Sequence, residues 1–199
     1  MSTMDIDPNR TAVICVECQN GVIGESAVLP ALAQSAVGLI AQLRPLLTSA
    51  RSAGVTVAHA VYTGSLGGSV HEPAPMWRKL GALSDTWTDR APEAQVVPAL
   101  HDESDLLLAR HHGLNPARDT ELLPVLRGRG VDTVVLAGVS LNVALILLTG
   151  EAIHQGFRVV IPRDAVIATP DTYGPLILDN SLRMLAHLTT SQALIDAWS

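Results

Sequence analysis

The chain has 199 residues, 48% of them hydrophobic, which fits one globular domain over residues 1–199 with a large core. Its 13 basic and 19 acidic residues give a net charge of -6 with no stripe of lysine and arginine, so a small molecule is a better partner than nucleic acid. The start MSTMDIDPNR lacks the features of a signal peptide. No apolar run reaches the about 18 residues that span a bilayer, so we expect no membrane partner and a cytoplasmic location.

Short β-branched segments alternate with longer amphipathic segments along the chain. Strands are predicted at 11–17, 55–61, 105–110, 131–138, 157–161 and 186–190. Helices are predicted at 31–53, 119–129, 141–155, 171–184 and 191–198. Strands that are apolar throughout and separated by helices indicate a parallel sheet covered on both faces. The predicted fold is a three-layer α/β domain with a parallel sheet of about six strands.

Glycine and proline mark the ends of the predicted helices. Gly54, Gly130 and Gly156 each stand just before a strand, where a left-handed residue ends a helix. Pro45 lies inside the first predicted helix and is expected to kink or split it. These signals support repeated βα units.

The first strand carries a C-x-x-C pair, Cys15 and Cys18, in VICVECQN. Such a pair can form a redox or metal site. On a buried strand, however, side chains three positions apart point to opposite faces and do not bridge easily. Two cysteines also fall short of the four ligands of a structural zinc site. We therefore expect two buried thiols, with no metal and no cofactor.

The alternation is interrupted between residues 62 and 104, a stretch rich in glycine and proline. A connection this long is usually a functional loop or a disordered one. Its two tryptophans, Trp77 and Trp87, either line a pocket or a subunit contact, or only hold the loop against the body. We predict that Tyr62, Trp77 and Arg78 bind the ligand, and that the chain forms a homodimer or higher homo-oligomer.

Charged residues follow two of the predicted strands. Ligands of an open parallel sheet bind beyond the carboxyl ends of its strands, and Glu17 and Arg110 emerge there. They form either a structural ion pair or part of a site. His111 comes next and can exchange a proton near neutral pH. The fourth strand leads into the turn GVSLNVA, in which Ser140 is expected to cap the following helix.

Together these segments resemble the isochorismatase-like superfamily of cysteine hydrolases, which includes nicotinamidases and isochorismatases. The resemblance rests on AVICVECQNG, on the G-V-x-x-N-V turn with its helix, and on GFRVVIPRDA. It covers nearly the whole chain apart from residues 62–104. The resemblance implies a six-stranded parallel sheet flanked by helices.

The resemblance also implies departures at the catalytic positions. Members that hydrolyse amides use an aspartate after the first strand, a lysine after the third and a cysteine at the start of the helix after the fourth. The matching positions here hold Glu17, Arg110 and Ala144, with His111 as a second candidate for the lysine position. The nicotinamidase metal ligands are not matched. The implied ligand-binding set around the turn comprises Val139, Ser140, Asn142 and Val143.

These departures change the chemistry that is open to the chain. Ala144 has no lone pair, so no acyl-enzyme can form there. Isochorismatases proper also lack the cysteine, and the resemblance implies acid catalysis from the carboxyl group after the first strand, here Glu17. A nearby Arg110 is expected to lower the pKa of that carboxyl below its ordinary value of ~4.3, which disfavours an acid. Alternatively, Arg110 holds a substrate carboxylate and leaves Glu17 free.

Two functions remain open from the sequence. The first is a small-molecule hydrolase without a covalent intermediate, with Glu17 as acid or base, Arg110 as anion clamp and the backbone amides of residues 140–144 as oxyanion site. The second is a family member that has lost catalysis and keeps the fold for ligand binding or assembly. Dinucleotide binding is disfavoured because neither the first nor the fourth turn contains G-x-G-x-x-G.

Overall fold

The structure is a computed structural model that describes residues 6–66, 74–84 and 86–199, apart from the side chains of residues 77, 79 and 82. Its strands are β1 (Thr11–Val16), β2 (Thr56–Tyr62), β3 (Leu106–Arg110), β4 (Thr133–Val139), β5 (Arg158–Pro162), β6 (Val166–Ile167) and β7 (His187–Thr189). They form one parallel sheet in the order β3-β2-β1-β4-β5-β7, and the short β6 pairs with the end of β4. The predicted parallel α/β fold is confirmed.

The central strands are apolar throughout because helices cover both faces of the sheet. Every residue of β1 and β4 is buried. Alternate side chains belong to separate cores, so Val13 packs with one layer of helices and Ile14 with the other. Helices in the described residues are α1 (Asn20–Ile23), α2 (Pro30–Ser35), α3 (Leu39–Ser52), α4 (Pro75–Ser84), α5 (Leu122–Gly128), α6 (Ile146–His154), α7 (Gly174–Asn180) and α8 (Ser191–Ala197).

The first predicted helix is divided, but not where it was expected. The division falls at residues 36–38, and Pro45 lies within the continuous helix α3. Leu43, Leu46 and Leu47 around this proline are fully buried, and their packing outweighs the missing backbone hydrogen bond. The glycine stops are confirmed, since all three predicted positions have left-handed φ angles between +79° and +84°.

The long interruption after β2 contains regular structure that the sequence pattern did not predict. Helix α4 and a short helical turn at Pro92–Ala94 both lie in it, and Trp87 is buried. Gln19 pairs with Val96 in an antiparallel bridge, which fastens the end of the segment to the exit of β1. The segment is therefore part of the wall above the sheet. No helix among the described residues is long and apolar enough to cross a membrane.

Candidate active site

Glu17 is positioned by an abrupt end to strand β1. Its φ angle is +52°, in the left-handed region that few residues other than glycine adopt, and its N–H donates to the carbonyl of Ala60 at 2.9 Å. Gly138 on the neighbouring strand allows this turn, because a Cβ there would lie 2.4 Å from the Val16 carbonyl oxygen. The backbone therefore directs Glu17 to the carboxyl edge of the sheet.

Arg110 reaches Glu17 from the end of β3, across the intervening strand β2. Its Nη2 donates to Glu17 Oε1, and the two side chains are 6% and 15% exposed respectively. The guanidinium carbon lies 5.2 Å from the centre of the Tyr62 ring, which orients it by a cation–π contact. The two charged residues predicted at the strand ends thus form a direct ion pair.

The ion pair does not bring the pKa of the Glu17 carboxyl below its ordinary value. Burial raises the pKa of the Glu17 carboxyl, and the charge of Arg110 opposes this only in part. Arg110 lowers this pKa as expected, but the expectation of a value below the ordinary one is wrong, because loss of hydration outweighs one neighbouring cation. Arg110 also keeps a buried Nε–H that has no hydrogen-bond partner among the described residues.

A cavity of about 70 Å³ lies beside this pair at the carboxyl edge of the sheet. Tyr62 and Trp87 form part of its wall, with ring centres 6.2 Å apart. Ser84 and Ser140 contribute hydroxyl groups. The rest of the described wall is apolar, and it consists of Val22, Val28, Leu29, Leu32, Met76, Leu80, Leu114, Val143 and Ala144.

The turn after β4 brings Ser140 to the cavity but does not use it as expected. Ser140 occupies the cap position of the helical turn Leu141–Leu145, yet its side chain makes no capping hydrogen bond. The expectation of a cap is wrong because the Ser140 carbonyl serves this turn, accepting from the N–H groups of Val143 at 3.2 Å and Leu145 at 3.1 Å. Ala144 lies on the cavity wall, 3% exposed, with only a methyl group to offer.

Two predicted ligand residues of this turn lie elsewhere. Asn142 donates through Nδ2 to the carbonyl of Thr169 at 3.1 Å and accepts from the Thr169 N–H at 3.4 Å. It therefore ties the turn to the segment after β6. Val139 is fully buried in the core beneath the cavity. Both residues position the turn, and neither lines the cavity.

Among the described residues, His111 and Arg78 are also outside the cavity wall, although both were predicted to bind the ligand. His111 Nδ1 lies 3.1 Å from the Thr63 hydroxyl and 3.0 Å from the Gly64 carbonyl, so it joins the loops after β2 and β3. Arg110, and not His111, faces the cavity. Arg78 is exposed on α4. The Trp77 side chain lies outside the described residues.

The sequence analysis did not predict several residues of the cavity wall. Met76, Leu80 and Ser84 recur every fourth position on α4, a spacing that places them on one helix face. This periodicity was available in the sequence, but the surrounding glycines and prolines concealed the helix. Leu29 and Leu32 come from the start of α2 and carry no signal beyond their apolar character.

The two cysteines are buried and free, but the expectation that they point apart is wrong. Both side chains belong to the same core, and the interaction between the two thiols lowers the pKa of Cys15 and, together with burial, raises the pKa of Cys18 well above its ordinary value. The strand alternation stops at Val16, because Glu17 leaves the extended conformation. Cys18 is thereby turned back to the side of Cys15. In the part of the chain that the structure describes, no three histidine, cysteine or acidic side chains cluster as metal ligands.

A second buried ion pair lies at the opposite end of β3. Asp105 accepts from Arg51 Nε at 3.0 Å and from Arg51 Nη2 at 2.7 Å, and it lies 2.9 Å from His59 Nε2. Burial by itself would raise the pKa of Asp105, but the hydrogen bonds from His59 and Arg51 outweigh burial and hold it at about 2. The sequence reading did not predict this cluster.

Comparison with known proteins supplies the family. Residues 11–193 match the isochorismatase domain. Maleamate amidohydrolase of Pseudomonas putida is 24% identical over 163 residues, which cover 79% of this chain and 72% of that protein. Ureidoacrylate amidohydrolase RutB of Agrobacterium fabrum is 26% identical over 183 residues, which cover 80% of this chain and 77% of that protein.

Solved structures share the fold at low sequence identity. A cysteine hydrolase from Pseudomonas syringae has a TM-score of 0.80 at 23% identity, covering 100% of this chain and 98% of that one. N-carbamoylsarcosine amidase from Thermoplasma acidophilum has a TM-score of 0.72 at 20% identity, covering 92% of this chain and 96% of that one. These likenesses confirm the three-layer arrangement around the parallel sheet.

Proposed function

The chain belongs to the isochorismatase family of small-molecule hydrolases, and we propose that it cleaves its substrate without a covalent intermediate. The observation that carries the proposal is a buried carboxyl, Glu17, that lines the cavity and has a raised pKa. A carboxyl with a raised pKa takes up a proton more readily than an ordinary one, and it can deliver that proton to a leaving group. Ala144 offers no lone pair, so the nucleophile is water.

Glu17 is the acid and base of the proposed reaction. As an acid, it protonates the leaving oxygen or nitrogen while water adds to the carbon from which that group departs. The proton that water releases returns to Glu17, so the residue ends in its starting state. This cycle needs only one exchangeable proton in the cavity.

Arg110 is the proposed anion clamp, and its first anion is Glu17 itself. The edge of the guanidinium holds the carboxylate through Nη2, which fixes the direction of the carboxyl group. A substrate anion would meet the guanidinium where Arg110 lines the cavity. Backbone N–H groups of residues 140–144 are a second proposed oxyanion site, apart from that of Val143, which donates to Ser140.

Replacement of Glu17 by glutamine tests the proposal. The change keeps the shape of the side chain and removes proton exchange, so we expect hydrolysis of vinyl ethers, esters or amides to fall by about a hundredfold or more. Circular dichroism checks that the variant folds. Asp132→Asn is the matched control, because Asp132 pairs with Arg10 at the opposite edge of the sheet. Unchanged kinetics in Glu17→Gln would exclude Glu17 as the catalytic group.

A second candidate function is ligand binding without turnover. The methyl group of Ala144, where the family resemblance implies a cysteine, favours it. In that case a ligand raises the melting temperature of the wild-type protein, and no product forms from it at any pH. Product formation that disappears in Glu17→Gln excludes this candidate.

Assembly and location are further parts of the proposal. We propose a homodimer, because closed twofold assemblies are the commonest outcome for soluble chains and Leu176 and Met184 are exposed near one another in sequence. Light scattering at micromolar concentration tests it, and a monomer mass contradicts it. Two unbridged thiols suit the reducing cytoplasm, which is the proposed location.

A further inference from the structure

Gln19 occupies a place that strand β1 leaves open beside β2. The two strands are paired as far as Val16 and Ala60, and the Glu17 N–H then donates to the Ala60 carbonyl. The chain turns away from the sheet at Glu17, whereas β2 continues for two more residues to Tyr62. In a parallel ladder the N–H and the carbonyl of alternate residues face the same neighbouring strand, so those of Tyr62 face the gap after β1.

The side-chain amide of Gln19 takes the place of the missing peptide group. Its Oε1 accepts from the Tyr62 N–H at 2.8 Å, and its Nε2 donates to the Tyr62 carbonyl at 2.7 Å. Nε2 also donates to the Ala94 carbonyl at 2.7 Å. Gln19 is fully buried, so these three bonds satisfy backbone groups that water does not reach.

The residue that Gln19 holds is the one that orients Arg110. Tyr62 is the register partner of Arg110 across β2 and β3, and its ring centre lies 5.2 Å from the guanidinium carbon. Arg110 in turn donates to Glu17. We propose that Gln19 is a positioning residue, which keeps Tyr62 against Arg110 and thereby fixes the bond from Arg110 to Glu17. The inference rests on the proposed function in one respect, because it takes Glu17 as the reacting group.

The same contacts explain how Glu17 can leave the sheet. The carboxyl reaches the cavity because the backbone turns out of β1 at this residue. That turn by itself would leave two buried backbone groups of Tyr62 unpaired, which is unfavourable. Gln19, two residues later, supplies a partner for each of them. The turn and its compensation are therefore both encoded within residues 17–19.

Gln19→Met tests this role, because methionine has a similar length and cannot form the three bonds. The readout is the solvent exchange of the buried Arg110 Nε–H, measured by NMR and compared with that of the Val135 backbone N–H in the buried strand β4. We expect the Arg110 proton to exchange about tenfold or more faster relative to Val135. If Gln19 only stabilised the fold, both protons would be accelerated by the same factor, and that result would overturn the inference.

Two further variants separate the path through Tyr62 from a general effect on the loop. Asn20→Ala is the matched control, because Asn20 Nδ2 donates to the Pro92 carbonyl at 3.0 Å and fastens the same segment through a bond that Tyr62 does not share. It should leave the exchange of Arg110 unchanged. Tyr62→Leu removes the ring, so adding Gln19→Met to it should accelerate exchange no further. Factors that multiply in the double variant would contradict a path through Tyr62.

The pKa of the Glu17 carboxyl is a second readout. Burial raises this pKa and the charge of Arg110 lowers it, so it should rise further when Arg110 is no longer held in place. The neighbouring Cys18 thiol stays protonated at neutral pH, because its own pKa is raised well above the ordinary value. Carbon-13 NMR titration should show the rise in Gln19→Met and not in Asn20→Ala. An unchanged or lower pKa in Gln19→Met would count against the positioning role.

The wild-type protein decides the inference if Gln19→Met does not fold. The side-chain amide protons of Gln19 and the Nε–H of Arg110 should show the same dependence of exchange on urea, because one local opening frees both. Free exchange of the Gln19 amide beside a protected Arg110 proton would overturn the inference.

These measurements also separate the positioning role from catalysis, because exchange does not depend on turnover. Selective acceleration at Arg110 in a protein that hydrolyses nothing would overturn the proposed function and keep the positioning role. Hydrolysis that depends on Glu17 and is as fast in Gln19→Met as in the wild type would overturn the positioning role alone.

Discussion

Glu17 and Asp105 are both carboxylates paired with an arginine, but they differ in how many donors surround them. Asp105, at the start of β3, is 1% exposed in its side chain, and both of its oxygens are occupied by Arg51 and His59. Glu17, at the other end of the sheet, receives one hydrogen bond from Arg110 and borders the cavity. We call Asp105 with Arg51 and His59 the closed cluster, because both carboxylate oxygens are occupied. We call Glu17 with Arg110 the open pair, because it faces the cavity.

The number of donors decides the charge chemistry of the two carboxylates. Burial acts in the same direction on both, toward a higher pKa. At Asp105 the lowering effect of the hydrogen bonds exceeds the raising effect of burial, and the pKa is about 2. At Glu17 the effect of burial is the larger one, and the pKa is raised. A carboxylate that cannot take up a proton is structural, and one that can do so is suited to catalysis.

The largest expected effect comes from breaking the closed cluster. Asp105→Asn leaves Arg51 and His59 without their carboxylate in a buried position, and we expect the free energy of unfolding to fall by about 3–5 kcal/mol. Urea unfolding followed by circular dichroism measures it. Asp132→Asn, which breaks an exposed pair with Arg10, is the matched control and changes stability little. Equal losses in the two variants would contradict the assignment of Asp105 as a structural group.

The next effect is a pH dependence of opposite sign at the two carboxylates. The pKa of Asp105 is lowered to about 2, so its contribution to stability is present above its ordinary pKa of ~3.9 and is lost as the pH falls toward about 2. The pKa of Glu17 is raised, so stability declines as the pH rises above the ordinary value of ~4.3 through the folded value.

Unfolding curves of the wild type, Asp105→Asn and Glu17→Gln across acidic pH separate these contributions. The difference between wild type and Asp105→Asn should shrink as the pH falls from about 4 to about 2. Glu17→Gln should remove the decline that Glu17 causes at higher pH. A constant difference for Asp105→Asn over that interval would argue against its lowered pKa.

A smaller loss is expected from breaking the open pair. Arg110→Met removes the cation and its unpaired donor, and the remaining carboxyl can become neutral by taking up a proton. We therefore expect a loss of about 1–2 kcal/mol at neutral pH, less than for Asp105→Asn. The same urea titrations measure it. A loss as large as that of Asp105→Asn would mean that Glu17 and Arg110 are structural as well.

The smallest effect concerns the reactivity of thiols in the core and on the cavity wall. Cys15 and Cys18 are buried, so iodoacetamide should label them slowly and spare turnover. Ala144→Cys places a thiol on the wall near Arg110, and we expect it to react about tenfold or more faster than the native pair. Mass spectrometry counts the labelled thiols. Rapid labelling of the unaltered chain would contradict the burial of the first strand.

Ala144→Cys also tests whether the sulfur atom alone is missing for amide hydrolysis, or whether Arg110 and Glu17 must change as well. Neither Arg110 nor Glu17 in its ion pair is well suited to pass a proton to a leaving amine, so the variant should stay inactive on simple amides. Activity should then require Arg110→Lys and Glu17→Asp as well. Amide hydrolysis by the single variant would show that the sulfur atom alone was missing.

The sequence by itself determined the architecture and the edge of the sheet at which the site lies. Unbroken apolar runs predicted β1 and β4, and the glycines at 54, 130 and 156 predicted the helix ends correctly. Glu17 and Arg110 were identified because charged residues at the ends of apolar strands must emerge at the carboxyl edge. These signals are local, since they depend on residues that are neighbours in the chain.

Only the tertiary structure decided which of these residues meet and what charge state results. Glu17 turns left-handed because Gly138 of another strand lies close, and that turn places Cys18 beside Cys15. His111 was equally placed in sequence, but the Thr63 hydroxyl and the Gly64 carbonyl hold it away from the cavity. Periodicity cannot encode such contacts, because they join residues that are far apart in the chain. The raised pKa of Glu17 likewise follows from burial by several elements at once, which no single segment reveals.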